Sequence, residues 1–142
     1  MTLANNRVGE LWRMFMPEIG NIQNRLNKEI ISAQVYKSDY FNQFDPNKSF
    51  EKWAVVELTE VPSHIIDGHT ILEIPGGLYA VFHYKGLSTD TSIFQYIFGE
   101  YLPKSEFELD DRPHFEILGD RYKNNDPESE EDIYIPIRHK QA

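Results

Sequence analysis

Four side chains pose the chemical question. Trp53 and Glu57 stand in KWAVVEL (52–58), and Asp132 and Tyr134 in DIYIPIR (132–138), so an aromatic ring and a carboxylate recur in each of two alternating apolar runs. An aromatic face attracts a cation through its ring quadrupole, worth ~0.5–2 kcal/mol per well-placed contact. A half-buried carboxylate supplies the counter-charge, and apolar walls reward a lipophilic body. A third stretch, PGGLYAVFHYKG (75–86), adds Tyr79 and His83. Together these ligand-binding candidates fit a lipophilic, cationic small molecule. The same acids, Glu57 and Asp132, are the catalytic candidates if burial drives their pKa values apart. No G-x-S-x-G elbow accompanies them, and no catalytic residue is assigned. Rings that cap a sheet and acids that face water account for the bare pattern as well.

Other chemistries fall away on composition and spacing. The glycine pair Gly76-Gly77 lacks the Walker spacing, and it is followed by a β-branched and aromatic run rather than a helix, so it marks a bend and not a phosphate cradle. No cysteine is present, which removes disulfides and thiolate ligands. The histidines show no metal-ligand spacing; His64 and His69 flank an Asp67-Gly68 turn, so neither metal nor cofactor is expected. A net charge of −9 opposes nucleic acid, and direct DNA binding is not expected. The same field suits a basic protein partner or a cationic ligand. No membrane span or signal peptide is evident, and a cytoplasmic location is expected.

The elements that must position these residues follow from periodicity. The 142 residues, 40% hydrophobic and 13% aromatic, suffice for one domain with a core. Val8, Leu11, Trp12, Phe15 and Ile19 recur at helical spacing behind Asn6 as cap, with Pro17 predicted to kink or restart the helix. Ile93, Phe94, Ile97, Phe98, Tyr101 and Leu102 form a second helical stripe, with Ser92 and Gln95 at capping-box spacing and a stop near Pro103. Strands are predicted at 32–36, 52–58, 70–74, 78–84, 114–118 and 132–138. The order repeats, and pseudo-repeats are expected at roughly 1–61 and 69–138, with a short or absent first strand. A spacing of about 79 between KWAVVEL and DIYIPIR pairs Trp53 with Asp132 and Val55 with Tyr134. The expected fold is α+β: a duplicated strand-helix-strand-strand unit, an antiparallel sheet with helices on one face, and a central ligand groove. Period two puts Ile133, Ile135 and Ile137 on the helix side and Trp53, Glu57, Asp132 and Tyr134 on the other. Ala80 and Phe82 read as core, leaving Tyr79 and His83 to the groove, unless a bulge at the glycines reverses the phase.

The segments GLYAVFHYKG (77–86), FQYIFGEYLPKSEFELDDRPHFEIL (94–118) and EEDIYIPIR (130–138) resemble the GyrI-like small-molecule-binding domain, also called the AraC-type effector-binding domain, in its stand-alone form. The resemblance covers nearly the whole chain. It implies a bacterial protein that senses or sequesters lipophilic, often cationic or planar compounds, as in multidrug binding, with an acid among aromatics meeting the ligand's charge. On this chain it points to Asp132, with Glu57 as its first-half equivalent. It also implies two alternatives: hydrolysis of strained electrophiles by a groove carboxylate, and a gyrase-inhibitor-like interaction with a protein partner. A homodimer covering the groove is compatible with the short N-terminus.

Overall fold

A computed structural model describes residues 1–141. Six strands form one antiparallel sheet: β1 (Ile30–Val35), β2 (Glu51–Val55), β3 (Tyr79–Lys85), β4 (Phe107–Leu109), β5 (His114–Leu118) and β6 (Glu130–His139). The order across it is β2-β1-β5-β6-β3, with β4 on β6 as well. Register places β4 and β5 end to end along one edge of β6, while β3 takes the other edge. The α+β class and the antiparallel sheet expected from the sequence are both present.

α1 (Val8–Phe15) packs against β2 and passes at Pro17 into a 3-10 turn, Met16–Asn21. The restart follows from proline, whose ring fixes φ and removes a donor. The cap position falls at Arg7, one residue after the expected Asn6, whose Oδ1 accepts the Val8 N–H at 3.0 Å. α2 (Ser92–Tyr96) continues through a π-helical turn, Ile97–Tyr101, into α3 (Leu102–Lys104). Its cap lies one residue earlier than the spacing predicts: Thr91 precedes the helix and Gln95 Nε2 donates to its hydroxyl at 3.2 Å.

The main core lies under α2 and α3. Ile97 and Leu102 meet Ile133, Ile135 and Ile137, with Ala80, Phe82 and Tyr84 from β3 packed around them. Burial of each such aliphatic side chain contributes about 1.5–3 kcal/mol, so the alternating isoleucines of β6 pin its helix-facing phase. Near the N-terminus an isolated bridge pairs Thr2 with Ser49. The expected strand at 70–74 does not form: Leu72 and Ile74 turn inward and Ile71 is exposed, but the segment finds no strand partner.

The bend at Gly76-Gly77 has a specific cause. Arg112 donates from Nε to Asp110 at 2.8 Å and from Nη2 to the carbonyls of Leu78 and Ile137 at 2.6 and 3.2 Å. Its guanidinium also lies 4.5 Å from the centre of the Tyr79 ring. A Cβ on Gly77 would come within 2.5 Å of Nη1 of this locked side chain. The glycine therefore lets the backbone pass an arginine that ties the start of β3 to the turn between β4 and β5.

Candidate functional site

The ladder between β3 and β6 pairs Tyr79 with Pro136, Val81 with Tyr134 and His83 with Asp132. Tyr79, His83, Asp132 and Tyr134 thus share the face turned away from α2, in the phase that period two assigns. Phe115 of β5 stacks on Tyr134 at 4.7 Å between centroids, and Tyr79 lies 5.5 Å from Phe115. Across the sheet, Trp53 stands opposite Ala33, Ala33 opposite Phe115, and Phe115 opposite Tyr134. Trp53, Ala33, Phe115 and Tyr134 thus lie in one row across the face turned away from α2. Glu57 lies exposed beyond the end of β2, where its carbonyl accepts the Leu26 N–H at 2.9 Å.

On this outer face the charges neutralise one another. His83 donates from Nδ1 to Asp132 at 2.7 Å and from Nε2 to Glu130 at 2.8 Å. The bonds from Asp132 and then Glu130 raise the histidine above its usual pKa, and the bond from His83 holds Glu130 below the carboxylate range. The acid singled out by the sequence already has a hydrogen-bond partner in His83.

A different set of polar groups collects on the α2 side. At the centre of the sheet β1 and β5 pair Ser32 with Glu116 and Gln34 with His114, in phase with the isoleucines of β6. Gln34 Nε2 donates to Glu116 Oε2 at 2.9 Å. Lys52 of β2 pairs with Gln34, and Glu131 of β6 with Tyr84. Burial raises the pKa of Glu116 and lowers that of Lys52, with each opposing the shift of the other. Burial, then the negative charge of Glu116, pushes Glu131 up to about 7. Among the described residues none of these three charged side chains forms an ion pair with another.

Aromatic rings stand at one end of this polar face. Tyr36 stands edge-on to His114 at 4.9 Å and packs on Tyr40, Phe41 and Phe50. Phe41, from the loop after β1, stacks on His114 at 5.5 Å and on Phe98 at 5.1 Å. Phe98 belongs to the π-helical turn after α2, so the loop and the helix close on each other through one exposed phenylalanine. Burial lowers His114 to about 4, and burial together with Glu116 raises the Tyr36 hydroxyl. A shallow depression of about 190 Å³, lined by Tyr36, Phe50 and their neighbours, adjoins this cluster.

A carboxylate kept short of hydrogen bonds, framed by rings and partly screened from water, is suited to holding an organic cation or to moving a proton. The sequence carried a signal for it: in IISAQV and HFEIL the polar Gln34 and Glu116 fall in phase with the core, where alternation predicts apolar residues.

A family described as integron-associated effector binding protein matches residues 1–137. The chain belongs to that family. It is GyrI-like, as the sequence resemblance implies, and the match places the chain among effector-binding proteins. No curated protein matches. Among the described residues no helix is long and apolar enough to cross a membrane, and no group of three or more His, Cys, Asp or Glu side chains could hold a metal ion.

Proposed function

We propose that this effector-binding protein holds a lipophilic small molecule carrying a cationic group, and that the ligand lies against this polar face, in a cleft on the α2 side. The observation that carries the reading is Glu116: a partly buried carboxylate at the centre of the sheet whose one side-chain hydrogen bond comes from Gln34. A ligand cation replaces the hydration that Glu116 lacks. Tyr36, Phe41, Phe98 and His114 supply flat apolar surface for the rest of the molecule, each cation-facing ring adding ~0.5–2 kcal/mol. The alternative site around Asp132 is less suited, because the His83 ring already occupies that carboxylate at 2.7 Å.

Calorimetric titration with a lipophilic aryl amine and its neutral isostere tests the proposal. Removing one partner of a desolvated charge pair costs about 2–5 kcal/mol, so Glu116→Gln should weaken binding of the amine at least thirtyfold and leave the isostere unchanged. Asp132→Asn should leave both unchanged. Loss of binding in Asp132→Asn alone would move the site to the outer face, and equal binding by all three proteins would remove the counter-charge. Chromatography of the recovered ligand separates binding from turnover: a hydrolysed product would assign Glu131 or Glu116 an acid–base role.

A further inference from the structure

The cleft is not uniformly acidic. Lys52 enters it from β2, on the far side of Gln34 from Glu116, and its register opposite Gln34 puts it on the same face. Adjacent strands lie about 4.8 Å apart, so Lys52 starts about 10 Å from the strand that bears Glu116. Glu131 lies further in the same direction, on β6. The floor is dipolar: one ammonium toward the β2 edge, two carboxylates toward β6, and the neutral Gln34 between. Among the described residues the Lys52 ammonium makes no hydrogen bond and no ion pair. A half-buried ammonium with no ionic partner is left free to meet an anionic group.

We infer that the cleft selects ligands bearing an anionic group as well as a cation: an amine that reaches Glu116 and, at the opposite end of an aromatic body, a carboxylate that reaches Lys52. The inference rests on the reading that the cleft is the ligand site. A bare monocation satisfies Glu116 but leaves Lys52 unmet and adds a second positive charge beside it. A zwitterion of the right length meets both ends, and the rings of the cleft hold its body. The lowering of the Lys52 pKa by burial, countered by Glu116 and Glu131, agrees with an ammonium that senses the acids without touching them.

The test uses two probes with one aromatic body, an aryl amine and the same amine with a carboxylate at the far end, titrated into wild-type protein, Lys52→Met and Lys52→Arg. A single new charge contact is worth roughly tenfold in affinity. The zwitterion should bind wild-type protein roughly tenfold more tightly than the monocation. Lys52→Met should abolish or invert that preference, with the monocation bound as tightly as before or more so. Lys52→Arg, which keeps the charge, should retain the preference and guards against a folding defect in the methionine variant. If the monocation binds through Glu116 but the zwitterion binds no better in wild-type protein, or if the preference survives in Lys52→Met, the role of Lys52 is overturned and the cationic site stands. If neither probe binds wild-type protein, both the site and the selectivity fall.

Discussion

Glu131→Gln should stabilise the protein at pH 8 and change little at pH 5. In the folded chain Glu131 loses its proton only near pH 7, against about 4.5 for an unfolded glutamate, because burial and the charge of Glu116 disfavour the carboxylate. Between those values the native state binds more protons than the unfolded one, so stability present below pH 4.5 is lost as pH rises through 7. At 1.36 kcal/mol per pH unit the interval gives a ceiling of about 3.4 kcal/mol. Glu131 retains some exposure, and solvent screening reduces this to about 1–2 kcal/mol. Glutamine removes the charge and keeps the shape. Urea unfolding of both proteins at pH 5 and pH 8 should therefore show a gain of about 1–2 kcal/mol at the higher pH and near equality at the lower. A variant that is less stable than wild type at pH 8, or that gains equally at both pH values, refutes the argument that the penalty is one of charge.

The histidine beside Glu116 should act in the opposite sense. His114 is buried and stays neutral in the folded state down to about pH 4, so the protein should lose up to about 3 kcal/mol on acidification from 6.5 toward 4. His114→Phe, which keeps a ring against Tyr36 and Phe41, should remove that loss in acid denaturation curves and leave the opposing slope of Glu131 visible. Gly77→Ala should cost about 1–3 kcal/mol, because a methyl group would meet an arginine held by three hydrogen bonds. Gly76→Ala, where a Cβ would meet nothing within 4 Å, should be close to neutral in the same thermal melts.

What the sequence disclosed, and what it hid, divide along one physical line. The stripe from Ile93 to Leu102 and the alternation of Ile133, Ile135 and Ile137 are strong because each depends on a single periodicity applied to large side chains, and the resulting elements lie where the spacing puts them. The outward phase of Tyr79 and His83 was legible for the same reason. The cross-strand row of Trp53, Ala33, Phe115 and Tyr134 was not, since a slip of two residues is silent to alternation and only the hydrogen-bond ladder fixes it. The three-residue β4 is too short to carry a pattern. Glu116 escaped attention because a carboxylate in the middle of an apolar strand reads as an interruption. It becomes a candidate site only when β1 brings Gln34, 82 residues earlier in the chain, against it.

That juxtaposition also explains why the seam is polar at all. Under α2 the sheet is filled by isoleucine, and the same phase continued onto β5 and β1 would accept leucine or isoleucine at 116 and 34 with no loss of hydrogen bonding in the backbone. Instead the strands at the centre of the sheet carry a carboxylate, an amide and, one strand away, an ammonium, each displaced from its usual protonation equilibrium or left without an ionic partner. Replacing such groups by hydrophobic ones is often neutral or stabilising, so the arrangement works against the stability of the free protein. A bound molecule that supplies the missing counter-charges reverses the cost, and the free energy withheld from folding becomes available to binding. On the proposed reading selectivity has the same source: ligands that match the dipole of the floor meet both charged ends, and those that match one end meet only half.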